Sequence, residues 1–313
     1  MSGLSQTSSV TVVIPTYRHA QFIAQTLDSV LSQTRPPAHI IVINDGSPDN
    51  TNEVVTPYLP HIQYIVQSNH GLVFTANKGL SLTKTPYVVV LASDDWLDPN
   101  ALAVMQEILD THPKVSIVHA NRIKFTEDGK FDDTAKIPNA GEYNPLPQLI
   151  YRDFIFAPAT MIRMQSIENK VIPNFPYCED WAFFIHIALG GSPFFGVSAS
   201  LGYYRRHNGN VTHRRFAKEI LEDEIAMLSR LHKEFALSEL LNDATQKSIG
   251  LRRLSLAWLY LQSGNRLYAR TLFKQAWKDG QRNWNTLMGW GVCRTPSVYS
   301  YASQIRRRFT TTR

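Results

Sequence analysis

Two adjacent carboxylates, Asp94 and Asp95, follow a run of apolar residues and give the sequence its strongest chemical signal. Adjacent carboxylates repel each other and are costly to bury unless a cation neutralises them. Mg²⁺ and Mn²⁺ bind to carboxylates and complete their shell with phosphate oxygens of a substrate. The pair therefore predicts a divalent-metal site for a substrate that carries a diphosphate; the alternative is a helix-cap and turn role for both acids.

A second group of polar residues has the chemistry to bind a nucleotide. Asp45 lies in Asn44-Asp45-Gly46-Ser47 and can accept hydrogen bonds from the imide nitrogen of a base or from a ribose hydroxyl. Its alternative role is an Asx turn that opens the next helix. Thr16 and Tyr17, which follow the strand-ending Pro15, could supply backbone contacts and a stacking face for the base, or form an ordinary loop.

Further titratable groups lie in the second half of the chain. Glu179 and Asp180 begin a predicted helix, where acids either interact with the helix macrodipole or supply a general base. A general base is needed because an acceptor hydroxyl is a poor nucleophile until its proton is removed. His207 follows a predicted strand and could bind a metal or a phosphate, although a lone histidine more often does neither.

Alternating strand and helix patterns in the first 120 residues would bring these groups together. Continuous apolar runs predict strands at 10–14, 40–43, 62–66, 87–91 and 115–118, with helical spacing between them. Such strands indicate an α/β fold with a mostly parallel sheet that is covered by helices on both sides. Ligands of such sheets bind beyond the carboxyl ends of the strands. Thr16, Asp45 and Asp94 are therefore expected to share one site.

The remaining sequence predicts a different organisation. Residues 121–147 are polar and predict a long loop or a β-excursion, whereas 180–189 predicts a helix and 196–204 one or two short strands. From about Phe216 onward the pattern is helical. Residues 254–276 have the helix, Gly turn and helix of one tetratricopeptide-type hairpin, but a plain helical C-terminal region is the alternative.

Composition limits the class of protein. The 313 residues are 43% hydrophobic and 19% charged, which is typical of a globular protein. No stretch approaches the roughly 20 apolar residues that span a bilayer. Residues 1–9 are polar and lack an apolar signal core, so they predict a disordered N-terminus and a cytoplasmic location. The two distant cysteines, Cys178 and Cys293, fit a reducing compartment.

The net charge of +6 comes in part from Arg306-Arg307-Arg308 and Arg313 at the end of the chain. This segment is either a solvated tail or a site of attraction to anionic lipid, and so of peripheral contact with the inner face of a membrane, or to an anionic acceptor. The sequence has no recognition-helix signature and no basic face with interleaved aromatic residues. A nucleic-acid partner is therefore not expected.

In order and spacing, these segments resemble the inverting family 2 glycosyltransferases of GT-A fold over about residues 10–210. The residues that carry the resemblance are Val13-Ile14-Pro15-Thr16-Tyr17, Ser29-Val30-Leu31-Ser32-Gln33-Thr34, Ile43 to Thr51, Asn69-His70-Gly71, Ala76-Asn77-Lys78-Gly79, Ala92-Ser93-Asp94-Asp95 and Glu179-Asp180. Each motif is modest by itself, but several in the same order are a strong signal. The resemblance implies a nucleotide-diphospho-sugar transferase domain at 10–213 and a helical C-terminal region at 214–313.

The resemblance also implies roles for individual residues. The nucleotide would be held by Pro15, Thr16, Tyr17, Asp45, Asn77 and Asp94. The cofactor, Mn²⁺ or Mg²⁺, would be bound by Asp95, with Asp94 and, less regularly, His207. Asp180 would be the catalytic base, with Glu179 beside it. The implied reaction moves a sugar from a nucleotide-diphosphate sugar, with a UDP-sugar favoured, to a hydroxyl of a glycan or lipid-linked acceptor with inversion, in bacterial cell-surface polysaccharide or glycan synthesis.

Two positions depart from the family pattern. Asn44 stands where an acid usually precedes Asp45, and Ala92 stands where many members carry another acid. These departures leave carboxylates for one metal ion. The rival classes are a nucleotidyltransferase, against which the absence of glycine from 15–20 counts, and a degenerate transferase domain that serves as a scaffold through its C-terminal helices.

Overall fold

The computed structural model describes residues 9–126, 129, 131–132, 137–210 and 212–293. The chain divides into two compact units, Met1–Asn210 and Val211–Arg313. The sequence placed the corresponding boundary after residue 213. The predicted disordered N-terminus and the terminal arginines lie outside the described residues, except Ser9.

One mixed sheet forms the centre of the first unit, and its strand order is β3-β2-β1-β4-β9-β6-β10-β5, with β7 beside β6 and β8 beside β10. The strands are β1 (Val10–Thr16), β2 (His39–Asn44), β3 (Gln63–Val66), β4 (Tyr87–Val90), β5 (Trp96–Leu97), β6 (Ile117–Phe125), β7 (Phe131–Asp132), β8 (Gly141–Tyr143), β9 (Thr160–Arg163) and β10 (Phe194–Arg205).

Strands β1 to β4 are parallel to one another. Thr16 pairs with Asn44 at the end of the β1–β2 ladder, so the carboxyl ends of these strands are level. Strand β1 is buried along its whole length, which explains its unbroken apolar and β-branched sequence. The loops after β1, β2 and β4 therefore leave the sheet at a common edge.

Helices in the segments between the strands cover this sheet. They are α1 (Ile23–Leu31), α2 (Thr51–Val55), α3 (Leu72–Leu82), α4 (Ala101–Thr111), α5 (Leu146–Leu149) and α6 (Glu179–Ala188). Ile23, Leu27 and Val30 recur at helical spacing on α1, and all three are buried in the core. This burial fixes the direction in which the β1–α1 loop crosses the edge of the sheet.

The sequence predicted the parallel half of the sheet more closely than the other half. The five predicted strands are present, and the predicted helix at 180–189 is α6. For the polar segment 121–147 the sequence left a long loop or a β-excursion open, and the structure has the β-excursion, with the second half of β6 followed by β7 and β8. Strands β5 and β9 were not predicted, because runs of two and four residues carry almost no periodicity.

Gly79 on α3 is required by close packing against β1. A Cβ atom at this position would lie 2.1 Å from Val13 Cγ1. We expect Gly79→Ala to lower the free energy of unfolding by about 1–3 kcal/mol, because overpacking forces the helix away from the sheet. Urea denaturation of this variant and of Ser81→Ala, at an exposed position of the same helix, measures the effect; equal stability of the two variants would contradict the packing argument.

The second unit is helical in its described part, as the sequence predicted. Its helices are α7 (Ala217–Glu234), α8 (Glu239–Gln262), α9 (Arg266–Lys278) and α10 (Trp284–Val292). Helices α8 and α9 form the predicted hairpin, and Gly264 has a φ of +86° in the turn between them. No helix among the described residues is long and apolar enough to cross a membrane.

Candidate active site

Asp94 lies in the turn between β4 and β5, where three side chains surround its carboxylate. His207 Nε2 is 3.0 Å from Asp94 Oδ2, and the Asn210 amide donates to the same oxygen at 3.3 Å. On the other side, His19 Nδ1 lies 4.0 Å from Asp94 Oδ1. Asp94 itself is only 8% exposed. Residues that are far apart in sequence thus converge on one buried carboxylate.

His19, Asp94 and His207 have the donor chemistry of a divalent-metal site. One ligand atom of each lies within 4.8 Å of the others. Imidazole nitrogens bind first-row transition ions, and a carboxylate oxygen is a ligand that suits Mn²⁺ and Mg²⁺. Burial, the largest effect, raises the pKa of Asp94, but the hydrogen bond from His207 and the charges of the two histidines outweigh burial and lower it. The carboxylate is therefore held in its anionic, metal-binding form.

Asp95 has a different environment from its neighbour. The residue is 3% exposed, and its Oδ1 accepts a hydrogen bond from the backbone N–H of Arg205 at 2.9 Å. Burial, and then the charge of Asp94, raise the pKa of Asp95 well above its usual value. Asp95 is not part of the three-residue group around Asp94. Its assignment as a metal ligand stays a prediction.

Arg205 at the end of β10 fixes the two acids in place. Its Nε donates to the backbone oxygen of Asp94 at 3.0 Å, and its guanidinium also donates to Gln25. The guanidinium lies 4.9 Å from the centre of the Phe22 ring and 4.6 Å from that of Trp96. These cation–π contacts and hydrogen bonds stabilise the position of the Asp94-Asp95 turn.

Asp45, at the end of β2, organises the loop that precedes α3. Its Oδ1 accepts from Gln67 Nε2 at 2.8 Å and from the His70 N–H at 2.9 Å, while Oδ2 accepts from the Gly71 N–H at 2.8 Å. Burial raises the pKa of Asp45, but these hydrogen bonds outweigh burial and lower it. The Thr75 side chain is a fourth donor, so the roughly four acceptor positions of the carboxylate are occupied within the protein, and the role of Asp45 in nucleotide binding stays a prediction.

Asn44 and Gly46, which flank Asp45, each have a structural role in this turn. The Asn44 amide donates to Asn52 Oδ1 at 2.9 Å and to Tyr64 Oη at 3.0 Å, and its oxygen accepts from the Ser47 N–H. An aspartate could not make these two donations. The departure from the family pattern at Asn44 is thus a change in a supporting network. Gly46 has a φ of +73°, and a Cβ there would lie 2.9 Å from Asn69 N.

The other predicted nucleotide-binding residues lie around this edge of the sheet. Pro15 and Thr16 end β1, and the backbone oxygen of Thr16 accepts from the Asp45 N–H at 2.9 Å. The Thr16 hydroxyl is buried without a hydrogen-bond partner among the described residues. Tyr17 is 38% exposed and offers a face for stacking. Asn77 instead bonds the backbone N–H and C=O of Ile172, at 2.8 and 3.0 Å.

Glu179 and Asp180 form the first turn of α6, as the sequence predicted. The Trp181 N–H donates to Asp180 Oδ1 at 2.7 Å. Burial raises the pKa of Asp180 above its usual value, and this hydrogen bond opposes burial only in part. A carboxylate with a raised pKa is a stronger base than an exposed one, which suits proton abstraction.

Sequence reasoning missed three residues of the site: His19, Arg205 and Asn210. Arg205 and Asn210 flank His207 in one short segment, so the run Arg205-Arg206-His207-Asn208-Gly209-Asn210 was a signal that could have identified them. His19 lies two residues after Tyr17 and belongs to no pattern. Only the fold shows that this loop reaches Asp94.

The sequence of this chain is similar to those of known proteins. The profile described as Glycosyl transferase family 2 matches residues 11–170. An uncharacterized glycosyltransferase of Rickettsia bellii is 28% identical over 66% of this chain, and hyaluronan synthase of Pasteurella multocida is 31% identical over 39%. The chain spans only 30% and 13% of these two relatives. An uncharacterized glycosyltransferase of a Nostoc species is 24% identical over 91% of this chain and 87% of its own length.

Solved structures have the same fold. Staphylococcus aureus TarS 1-349 in complex with UDP-GlcNAc has a TM-score of 0.65, with 16% identity over 86% of this chain and 81% of its own. The mannosyltransferase PcManGT of Pyrobaculum calidifontis, in complex with GDP-Man and Mn²⁺, has a TM-score of 0.59, with 14% identity over 96% of this chain and 84% of its own.

The sheet, the acids at its carboxyl edge and these structural likenesses define an α/β transferase domain of GT-A fold, followed by a helical region. The family match covers more than half of the chain. The chain belongs to glycosyltransferase family 2.

Proposed function

We propose that the enzyme transfers a sugar from a nucleotide-diphosphate sugar to an acceptor hydroxyl, with inversion and with dependence on a divalent cation. The observation that carries this proposal is the buried Asp94 carboxylate between His19 and His207. An anion at this depth needs a cation, and a diphosphate substrate that binds at the edge of the sheet brings two more anionic groups to the same place.

In the proposed reaction, a direct displacement at the anomeric carbon, different residues of this chain have different roles. Asp180 takes the proton of the acceptor hydroxyl as its oxygen bonds to the anomeric carbon, while the bond from that carbon to the diphosphate breaks on the opposite face. Thr16, Tyr17 and Asp45 bind the nucleoside and take no part in the chemical step. A cation bound to Asp94 and His207, which is Mn²⁺ or Mg²⁺, would supply positive charge to the departing diphosphate. Asp95 remains a candidate for an additional ligand.

We favour a UDP-sugar as donor and a glycan or lipid-linked acceptor. TarS, which has the higher TM-score of the two complexes described, is bound to UDP-GlcNAc. Hyaluronan synthase is named for a polysaccharide, and it supports a role in cell-surface polysaccharide or glycan synthesis. The basic segment 306–308 would be attracted to anionic lipid, which supports peripheral association with the inner face of the membrane.

A panel of donors tests this function. Purified protein is mixed with UDP-, GDP- and dTDP-sugars in Mn²⁺, Mg²⁺ or chelator, and the release of nucleoside diphosphate and the melting temperature are followed. We expect slow release from a UDP-sugar that stops in chelator, and a higher melting temperature with UDP and Mn²⁺. If no nucleotide is released and none stabilises the fold, the scaffold alternative is favoured instead.

A further inference from the structure

The β1–α1 loop presents His19 to the site in a fixed position. The N–H of Arg18 donates to Ser47 Oγ at 3.1 Å, and the N–H of Ala20 donates to Asp49 Oδ2 at 3.2 Å. The backbone oxygen of His19 accepts from the N–H groups of Phe22 and Ile23 that lead into α1. Both neighbours of His19 are thus tied to the β2–α2 loop, and its imidazole is positioned before any ligand binds.

The imidazole of His19 faces Asp94 and His207. Its Nδ1 lies 2.8 Å from Ser93 Oγ and 4.0 Å from Asp94 Oδ1. The rings of His19 and His207 are perpendicular, with centroids 5.8 Å apart, and Phe22 contacts both rings. In the tautomer that carries its proton on Nε2, the ring presents a nitrogen lone pair at Nδ1, on the side that faces Asp94.

We propose that His19 is a third protein ligand of the metal centre and that it makes the centre selective for Mn²⁺ over Mg²⁺. This inference rests on the proposed function, because it assumes a cation at Asp94. Mg²⁺ prefers an octahedron of oxygen ligands and retains water, whereas first-row transition ions, Mn²⁺ among them, accept imidazole nitrogen more readily than Mg²⁺ does. A pair of imidazoles around one carboxylate therefore shifts the preference away from Mg²⁺.

The three ligand atoms lie within 4.8 Å of one another, and the two separations that involve Asp94 are short enough for a shared ion. Two atoms that each bond to one ion at about 2.1 Å can be no more than about 4.2 Å apart. The separation of 4.0 Å between His19 Nδ1 and Asp94 Oδ1 lies within this limit. His207 Nε2 and Asp94 Oδ2 are 3.0 Å apart, which is a normal separation for two ligands of one ion. Ser93 Oγ bonds to the same Nδ1 at 2.8 Å and would have to release it when Nδ1 binds the ion.

Pulsed electron paramagnetic resonance of bound Mn²⁺ tests this assignment without measuring activity. The wild-type protein with UDP and Mn²⁺ is expected to show couplings to two imidazole nitrogens. His19→Asn and His207→Asn should each remove one of them. We expect His19→Asn to weaken Mn²⁺ binding, measured by calorimetry, by at least about 10-fold. Replacing a residue that only hydrogen-bonds to a metal ligand already lowers metal affinity by about 10–100-fold. Mg²⁺ binding should weaken less.

His61→Asn, at an exposed position of the same unit, is the matched control and should bind Mn²⁺ as the wild type does. If His19→Asn does not fold, His19→Gln replaces it, with the melting temperature of the metal-free protein as the check. A single nitrogen coupling that disappears only in His207→Asn would overturn the role of His19 and leave the proposed function intact. A wild-type protein that binds no Mn²⁺ in the presence of UDP would overturn both.

Discussion

Replacing Asp180 with asparagine is expected to lower turnover by about 100-fold or more and to leave donor binding near normal. The amide has nearly the shape of the carboxylate but cannot accept a proton from the acceptor hydroxyl. Its oxygen still accepts the hydrogen bond that the Trp181 N–H now makes to Asp180, so the first turn of α6 should remain intact. Steady-state kinetics with a saturating acceptor, together with calorimetry of UDP binding, separate the two effects.

The pH dependence gives an independent test of the same assignment. Burial raises the pKa of Asp180, so the carboxyl is protonated at a pH at which an exposed aspartate is still ionised. A base must be deprotonated to act. Activity should therefore fall as the pH is lowered through this raised pKa, above the usual range for aspartate, and this part of the profile should be absent from Asp180→Asn.

Glu179→Gln is the matched control, because it removes the adjacent carboxylate from the same helix turn. It should reduce turnover much less than Asp180→Asn does. Near-full turnover of Asp180→Asn would show that Asp180 is not the base, and a large loss in Glu179→Gln alone would transfer that role to Glu179.

The sequence was sufficient to predict the part of the site that depends on strand ends. Parallel strands that are buried on both faces are apolar throughout, so the residue at which each strand turns polar marks the edge of the sheet. Thr16 and Asp45 were placed at this edge by that rule, and the β1–β2 register puts their strands level. The pair Asp94-Asp95 was placed there in the same way.

The rest of the site depends on contacts between segments that the sequence keeps apart. His19 reaches Asp94 across a separation of 75 positions, and Arg205 reaches Asp95 across 110. Neither contact follows from periodicity or capping, because each is made where two loops meet. The residue types alone did not distinguish Asp94 from Asp95, and the resemblance implied Asp95 as the metal ligand, with Asp94 beside it. The structure separates the two acids: Asp94 contacts His207, whereas Asp95 accepts a hydrogen bond from the backbone N–H of Arg205.

Replacing Asp94 with asparagine is expected to abolish metal-dependent donor binding and to lower turnover by about 1,000-fold. The substitution keeps the volume of the side chain and one oxygen acceptor for His207 or Asn210, but removes the negative charge that would hold the cation. Donor binding is measured by calorimetry with Mn²⁺ and with chelator. Asp28→Asn, at an exposed position of α1, is the control and should retain the difference between the two conditions.

The melting temperature gives a second test of the same substitution. Removing the charge of Asp94 relieves its repulsion of Asp95, but it also removes the interactions with His207 and His19 that lower the pKa of Asp94 and so stabilise the folded protein. The metal-free Asp94→Asn protein should therefore melt at a lower temperature than the wild type, and should lose the increase that UDP and Mn²⁺ give the wild type. A variant that melts lower and still gains from Mn²⁺ would show that Asp94 is structural and that the cation binds elsewhere.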